Sequence, residues 1–330
     1  MANFFVGKLG QYFVVLLVAV TLNFVLPRLM PGNPLALLAG EELNLLTAEQ
    51  RVQLRETIGI DQPLPVQYAR YLSNLARGDF GYSYQKKKPI TSVLAERLPW
   101  TLLLTGTSLL VATLIGVTLG ATAAWQRGGS RDLGLLGLFV FLESLPSFWI
   151  GMVLVAIFSV QLQLFPTFGA LTPWSNLQGT AFIEDVLRHL VLPLTTLVIV
   201  SVSGTFIVAR YSMLSVLGEE YINVARAKGL RERVVLFRHA LRNALLPIAT
   251  VFTLNLAFAF SGATVVETVF SYPGVGRLVY EAVLNRDYPV LQAAFLMITV
   301  MVVIANIIAD LLYPLLDPRV RQAGVRGGGA

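Results

Sequence analysis

The chain has 330 residues, of which 55% are hydrophobic and only 13% charged, and its formal net charge is +6. Soluble domains carry about 25% charged residues, so this deficit indicates one membrane-embedded bundle and argues against two soluble domains. The sequence has no cysteine and only two histidines, which excludes disulfides, thiolate metal sites, cysteine nucleophiles and a histidine-rich metal site.

The first apolar stretch runs from about Tyr12 to Leu29 and is long enough to cross a membrane. Lys8 precedes it, as a basic residue precedes the apolar region of a signal peptide. The stretch is long, however, and the residues from Pro27 to Pro31 do not resemble a small-residue cleavage site. We therefore interpret it as a retained first membrane helix.

The segment Pro31–Trp100 is too long for a simple loop and too polar for a span. Thr47–Gln50 has the form of a capping box, which predicts a helix to about Ile58. Pro65 and Gly78 predict the start and the end of a second helix. The segment is either a subdomain that contacts a partner or a cover packed on the bundle, and the residues favour neither.

Within this segment, one face of the second predicted helix is apolar. Tyr68, Tyr71, Leu72 and Leu75 share it. Asp79–Tyr84 follows as a turn rich in aromatic side chains, and Ile90–Leu98 is predicted as a short helix at the membrane interface.

Five more apolar stretches predict membrane helices, which gives six spans in all. They cover Thr101–Trp125, Leu133–Val160, Leu190–Val208, Ala244–Val266 and Val290–Leu315. Gly116 and Gly120 form a small-x-x-x-small pattern in the second span, which predicts close approach of another helix backbone.

Two carboxylates interrupt the predicted spans, and an unpaired charge in a membrane costs several kcal/mol. Glu143 either lines a polar translocation path or pairs with a neighbouring helix or subunit. Asp310 lies near the end of the last span, where Arg319, Arg321 or the membrane interface can accommodate it.

Orientation follows from the basic residues of the short loops. With the amino terminus inside, thirteen lysines and arginines fall on the cytoplasmic side and three fall in short outer loops. The sequence therefore predicts an all-α, polytopic protein with both termini cytoplasmic. Residues 1–30 are the first membrane helix, 31–100 a helical extracytoplasmic segment, 101–317 the membrane core with a cytoplasmic loop at 211–243, and 318–330 a cytoplasmic tail. Because the positive charge follows the loops, it does not indicate nucleic-acid binding.

No catalytic pattern is present in the sequence. The glycine clusters do not complete a phosphate-binding G-x-x-x-x-G-K-[ST] motif, and neither H-E-x-x-H nor G-x-S-x-G occurs. A membrane enzyme is therefore not supported. If the protein performs work, the energy comes from another chain or from an ion gradient.

The most distinctive polar segment lies between the fourth and fifth spans. Glu219 and Glu220 complement the amino-terminal end of a short predicted helix, and Gly229 is placed to end it in a left-handed turn. Ala225 and Gly229 form a small face one turn apart, which favours docking into a cleft of a partner. The alternative is a basic amphipathic helix that lies on anionic lipid.

The motif of this segment identifies a family. It reads Glu220-Tyr221-x-x-x-Ala225-Arg226-Ala227-Lys228-Gly229-Leu230, followed by His239-Ala240-Leu241-Arg242-Asn243-Ala244-x-x-Pro247. It resembles the cytoplasmic loop of ABC importer permeases, and more closely that of the B-type subunit in the dipeptide/oligopeptide/nickel family. Asn223 and Val224 replace the Glu and Ala of the general importer pattern, as is typical of this branch.

Further matches to the family extend over nearly the whole chain. They are Pro31–Pro34, Gly78–Gly81, Glu267–Gly276, Arg286–Pro289, Asp310–Tyr313 and Asp317–Arg319. The long segment after the first span is also similar to the B-type rather than the C-type subunit.

The resemblance implies a multi-pass permease of the bacterial cytoplasmic membrane, with no cofactor or metal of its own. Its implied partners are a paralogous permease, two ATPase subunits or domains that carry ATP and Mg²⁺, an extracytoplasmic substrate-binding protein and membrane lipid. Tyr221–Leu230 would be a coupling helix with Ala225 and Gly229 at the contact. His239, Arg242, Asn243 and Pro247 would lie in the connection that carries its motion into the fifth span. Tyr272, Pro273, Gly274 and Gly276 would lie outside, where the binding protein docks.

Di- or oligopeptides are the expected substrates, with nickel chelates and glutathione as alternatives within the same family. A stand-alone secondary transporter is the alternative from another class. The sequence shows no evident internal repeat and few charges within the spans, which disfavours that alternative.

Overall fold

A computed structural model describes residues 2–29, 47, 49, 61–83 and 85–316. The helices, in chain order, are α1 (Ala2–Leu29), α2 (Leu64–Ala76), α3 (Ile90–Trp125), α4 (Ser130–Glu143), α5 (Ser147–Leu154), α6 (Thr180–Leu217), α7 (Glu220–Ala227), α8 (Glu232–Val234), α9 (Leu241–Val269), α10 (Val275–Leu284) and α11 (Tyr288–Leu316). Strands β1 (Tyr82–Ser83) and β2 (Lys88–Pro89) precede α3.

The chain divides into two compact units. The amino-terminal unit comprises Ala2–Thr101 and Pro273–Val303. The core unit comprises Leu102–Tyr272 and the described residues from Ile304 to Leu316. The predicted features at Pro31–Pro34, the helix ending near Ile58 and the tail 318–330 lie outside the described residues.

Helix α2 confirms the helix predicted from Pro65 and Gly78. Pro65 occupies the first turn, where its missing N–H costs no hydrogen bond. Gly78 ends the helix with φ +74°, and the N–H groups of Gly78 and Asp79 donate to the carbonyls of Leu75 and Asn74 at 3.0 and 2.9 Å. This pair of bonds is a Schellman motif, which satisfies carbonyls that a helix end leaves free.

The predicted apolar face of α2 packs on α1. The ring of Phe24 lies 5.1 Å from that of Tyr68 and 5.6 Å from that of Tyr71. The hydroxyls of Thr21 and Tyr68 share a hydrogen bond of 2.7 Å. These contacts attach α2 to the end of the first membrane helix.

A short antiparallel hairpin pairs Tyr82 with Pro89 after the predicted turn, and the described residues remain predominantly helical, as expected. One expectation for this segment was wrong. The segment Ile90–Leu98 is not a separate helix but the beginning of α3. This helix continues through Pro99 and is 36 residues long in total. Such a helix is about 54 Å long, which exceeds the 30 Å hydrocarbon core, so its ends extend beyond the apolar layer.

The amino-terminal unit has its own buried cluster, formed where α3, α10 and α11 meet. Its members include Ile90, Val93, Val275, Leu278 and Val290. Polar contacts secure the same elements, since the Ser83 hydroxyl donates to Asp287 at 2.6 Å and the Val275 N–H donates to the Thr101 hydroxyl at 2.8 Å.

In the core unit, α3 and α6 approach closely at the predicted glycine pair. A Cβ at Gly116 would lie 2.8 Å from the Cβ of Thr205, and one at Gly120 would lie 2.7 Å from the Phe206 carbonyl oxygen. Only a residue without a side chain fits at such distances. The predicted close backbone approach is therefore confirmed.

The predicted third span is not one straight helix. Helices α4 and α5 meet at an angle of 100° across Ser144–Pro146. Pro146 cannot continue the hydrogen bonds of α4, and its carbonyl accepts the N–H of Trp149 at the start of α5. A π-helical turn, Val155–Gln161, follows α5.

Four helical stretches are long and apolar enough to cross a membrane. They are Gly7–Val25, Ile90–Trp125, Thr180–Leu217 and Tyr288–Ile308. Two bent pairs also qualify, α4 with α5 and the kinked segment Glu232–Leu256, whose halves meet at 55° around Pro247. The described residues thus give four to six spans, depending on whether each bent pair counts as one.

Candidate functional site

The candidate site is the segment between α6 and α9, which contains the short helix α7. Helix α6 ends at Leu217, and Glu219 adopts an extended conformation with ψ 145° as the residue before α7. Glu220 lies in the first turn and Arg226 in the last. Both charges oppose the partial charge of the nearby helix end, which stabilises α7 as predicted.

Gly229 closes α7 with a second Schellman motif. Its φ is +75°. Its N–H donates to the backbone carbonyl of Arg226 at 2.9 Å, and the N–H of Leu230 donates to the backbone carbonyl of Ala225 at 3.4 Å. The left-handed turn predicted at Gly229 is confirmed. A Cβ at Gly229 would meet no atom within 4 Å, so the glycine is required by the backbone and not by crowding within this chain.

One face of α7 is anchored inside the core unit. Ile222 is completely buried, and the side chain of Ala225 is buried beside it. Both belong to a cluster with Met213 of α6, Val235 and Ala244. The structure thus places Ala225 against the chain's own core, whereas the family resemblance implied that it lies at the contact with a partner.

The opposite side of α7 and its surroundings are exposed, and we call this surface the docking face. Its apolar members are Tyr221, Val224, Leu230 and Phe237, and Val224 is 52% exposed. Glu220, Arg226, Ala227, Lys228 and Gly229 are also exposed. An apolar patch rimmed by charges on a helix fixed from beneath is typical of a protein–protein contact.

A hydrogen bond connects α7 directly to α9. The side-chain amide of Asn243 donates to the Tyr221 hydroxyl at 2.7 Å and to the His239 carbonyl at 3.1 Å. In the sequence between α7 and α9, Val235–Ala240 forms a π-helical turn that continues into α9. Pro247 lies about two turns after the start of α9, at the kink of that helix.

Basic residues dominate the charge of this region. From Glu219 to Asn243 there are six lysines and arginines and three glutamates. Arg226 lies 5.2 Å from the ring centroid of Trp125 and 3.5 Å from Glu232. Arg242 is exposed and His239 is half-buried.

Glu143, the candidate for a translocation path, is the last residue of α4. Its side chain is exposed in this chain, directly before the 100° bend. It therefore lies on a surface of the core unit and not in the interior of the unit.

The predicted docking segment for a binding protein is largely enclosed. Tyr272, Gly274 and Gly276 are buried, and only Pro273 is half-buried. Burial, reinforced by the charge of Glu267, raises the pKa of the Tyr272 phenol, which therefore stays neutral. Hence these positions offer little surface for the expected contact.

Two charged features were not predicted from the sequence. The first is a buried ion pair, in which Nε and Nη2 of Arg210 donate to the two carboxylate oxygens of Asp132 at 2.6 and 2.7 Å. Asp132 also accepts the N–H of Gly128 at 3.0 Å. The available signal in the sequence was Asp132 itself, because a carboxylate near the start of an apolar stretch needs a partner elsewhere in the chain.

The second feature is a cationic cluster in the amino-terminal unit. Three basic side chains surround Glu281, namely Arg277 at 2.9 Å, Lys86 at 3.4 Å and Arg97 at 3.6 Å. All four are partly exposed, so an excess of positive charge faces solvent. The run of three lysines at Lys86 was the available signal in the sequence.

Residues 116–322 match the family described as binding-protein-dependent transport system inner membrane component. Residues 1–105 match the family described as "Binding-prot-dependent transport system membrane comp, N-term". Together the two matches cover both units and include the docking face.

Several curated proteins are similar over almost their whole length. The oligopeptide transport system permease protein AppB of Bacillus subtilis is 37% identical over 97% of this chain and 99% of its own. The glutathione transport system permease protein GsiC of Pectobacterium atrosepticum is also 37% identical, over 97% and 99%. The dipeptide transport system permease protein DppB of Escherichia coli K12 is 35% identical over 98% and 99%.

A solved structure shares the fold. An inward-facing conformation of the MetNI methionine ABC transporter superposes with a TM-score of 0.56 at 14% sequence identity. The match covers 68% of this chain and 96% of that one.

Proposed function

The chain belongs to the binding-protein-dependent transport system inner membrane components, and from this we propose that it is the membrane-spanning permease of an ATP-driven peptide importer. The family match and the long similarity to peptide and glutathione permeases support this function. The docking face is the structural observation that carries it.

We propose six spans with both termini in the cytoplasm. In this arrangement each bent pair of helices is one span, and the docking face lies on the cytoplasmic side. The excess of basic residues around α7 agrees with that side.

Coupling follows from the way α7 is held. Ile222 and Ala225 fix the helix to the core unit, while Tyr221, Val224 and Leu230 remain exposed for a partner. We propose that this partner is an ATPase subunit, which binds ATP and Mg²⁺, and that its movement displaces α7. The Tyr221–Asn243 hydrogen bond and the π-helical turn then transmit the displacement to α9.

The remaining partners are a paralogous permease and an extracytoplasmic binding protein. For the latter, the cationic cluster around Glu281 is more accessible than the segment at Tyr272. Exposed charges of this kind steer association with an oppositely charged surface.

Di- or oligopeptides are the proposed substrates, because the relatives named for oligopeptide and dipeptide transport match 97% and 98% of the chain. Glutathione is the second candidate, since a glutathione permease is equally identical to this chain. Nickel chelates remain the third alternative from the sequence resemblance.

Reconstitution with the neighbouring transporter subunits tests this function. Proteoliposomes that contain the full complex should accumulate labelled di- or oligopeptide only with ATP and the binding protein. The purified permease should also retain an ATPase subunit through detergent extraction. Failure of the chain to retain any ATPase subunit would refute the proposal, and accumulation of glutathione alone would replace the proposed substrate.

A further inference from the structure

A cavity of about 250 Å³ lies within the amino-terminal unit. Its walls come from the end of α1, from α2, from the turn at Asp79–Tyr82 and from the beginning of α11. Arg28, Arg70, Tyr71 and Asn74 supply polar groups, and Leu296 supplies apolar surface. Asp79 is the only carboxylate among the described residues that line it.

Arg28 is held in place at this cavity. Its Nη1 donates to the Phe24 carbonyl at 2.8 Å, while Nε and Nη2 donate to Gln67 Oε1 at 3.2 and 3.1 Å. The guanidinium also lies 3.6 Å from the centroid of the Phe24 ring. These bonds use three of the five N–H groups of the guanidinium.

No carboxylate within the described ranges forms an ion pair with Arg28. A half-buried guanidinium with two N–H groups left, and with no ion-paired carboxylate in the part of the chain that the structure describes, is suited to an anion. Arg70 adds a second positive charge at the same cavity and is itself exposed. Burial raises the pKa of the Tyr71 phenol, so this group stays neutral beside the two cations.

The cavity also lies at a defined depth. The apolar stretch of α1 ends at Val25, three residues before Arg28, and the apolar stretch of α11 begins at Tyr288, four residues before Gln292. Reciprocal hydrogen bonds between Asn23 and Gln292, at 2.7 and 2.6 Å, hold these two span ends together. The cavity is therefore located where the hydrocarbon layer meets the phospholipid headgroups.

Helix α1 leaves most of its apolar surface uncovered. Phe13, Val14, Val18 and Leu22 are each more than half exposed within this chain. An apolar helix of this kind faces acyl chains, and its polar end faces headgroups. A lipid packed on α1 would thus present its phosphate at the level of Arg28.

We propose that this cavity binds the phosphate headgroup of an anionic phospholipid, with Arg28 as the main ligand and Arg70 as the second. In the proposed orientation the lipid belongs to the outer leaflet. The binding itself does not depend on the transported substrate or on the ATPase partner.

The test uses the full transporter complex, delipidated in detergent and titrated with phosphatidylglycerol while native mass spectrometry counts bound lipid. Arg28→Gln should weaken phosphatidylglycerol binding about tenfold or more, because it removes the charge-assisted hydrogen bonds. Arg70→Gln should weaken it by a smaller factor, and its exposed position spares the fold. Arg77→Gln, at an exposed arginine that does not line the cavity, is the matched control and should bind as the wild type does.

Titration with inorganic phosphate and with a short peptide distinguishes the sources of the anion. Neither should displace phosphatidylglycerol at millimolar concentration if the acyl chains contribute as proposed. Displacement by either ligand would overturn the lipid assignment. Unchanged phosphatidylglycerol binding in both Arg28→Gln and Arg70→Gln would overturn the site.

Loss of lipid binding in a complex that still imports peptide leaves the proposed function intact. The lipid site and the proposed transport function are therefore tested independently of each other.

Discussion

The Tyr221 hydroxyl accepts a hydrogen bond of 2.7 Å from the side-chain amide of Asn243, which joins the docking helix α7 to α9. The two residues are 22 positions apart in the sequence and both are exposed. A contact of this kind links the surface offered to a partner with a helix of the membrane core.

Removal of this hydrogen bond should impair coupling more than assembly. Tyr221→Phe keeps the ring and deletes the hydroxyl, and we expect about fivefold slower ATP-driven uptake, since such a bond contributes about 1 kcal/mol. Binding of the ATPase subunit should change little. Uptake in proteoliposomes and pull-down of the ATPase subunit measure the two effects.

A double-mutant cycle provides the control for this pair. If Asn243→Ala acts only through Tyr221, the double variant should transport as the single variants do. Additive losses would show that the two side chains act independently.

The Asp132–Arg210 pair should contribute strongly to stability because it is buried and bidentate. Asp132→Asn leaves the Arg210 charge buried without its partner, and we expect a loss of about 3–5 kcal/mol in unfolding free energy. Thermal or denaturant unfolding in detergent measures this.

The double variant Asp132→Leu/Arg210→Met removes both charges and should recover most of the lost stability. If Asp132→Asn alone unfolds like the wild type, the pair is not buried in the assembled protein.

The glycine contact between α3 and α6 makes a comparison within one helix possible. Gly120→Ala should lower the unfolding free energy by about 1–3 kcal/mol, because its methyl group would overlap Phe206 and Ala209. Gly106→Ala, in the same helix with no atom within 4 Å of its Cβ, should be neutral or slightly stabilising. Equal effects of the two substitutions would contradict this packing.

Gly229 should tolerate no ordinary side chain without cost, because its φ is +75°. Gly229→Ala is expected to cost about 1–3 kcal/mol of local stability. Hydrogen exchange in α7 should accelerate in this variant. Gly218→Ala is the control, since Gly218 has φ −82° and an ordinary contact distance of 3.5 Å, and it should leave exchange unchanged.

Gly229→Arg adds bulk and charge at an open position of the docking face, together with the backbone strain that Gly229→Ala already introduces, so the difference between the two variants reports docking. We expect insertion into the membrane to continue and transport to be lost. Normal uptake in this variant would argue against coupling at α7.

Local backbone signals were readable from the sequence. Pro65, Gly78 and Gly229 each act within one helical turn, so their positions sufficed to predict helix ends that the structure contains. The glycine pair at Gly116 and Gly120 was readable for the same reason, although its partner α6 was not.

Features that depend on tertiary contacts were not readable. A hydropathy pattern does not reveal a bend, so Leu133–Val160 was predicted as one helix, whereas the structure bends by 100° across Ser144–Pro146. Ile90–Leu98 was predicted as a separate interfacial helix, yet it forms the beginning of α3, which continues through Pro99.

The candidate site shows the same limit. The small residues of α7 could be recognised in the sequence. The sequence did not indicate, however, that Ala225 is buried in the core unit while Val224 is exposed. The pairing of Asp132 with Arg210 spans 78 positions and requires two helices to meet.

Cysteine cross-linking at the docking face tests the central claim most directly. Because the sequence contains no cysteine, Val224→Cys introduces a single thiol at an exposed position of α7. Leu284→Cys introduces one at an exposed position of α10 as a control. In the assembled complex, a short bifunctional reagent should cross-link the ATPase subunit to the Val224→Cys variant and not to the Leu284→Cys variant. The yield of the cross-linked product should change when ATP is added. Absence of any product from position 224, or an equal yield from both positions, would contradict the assignment of α7 as the docking helix.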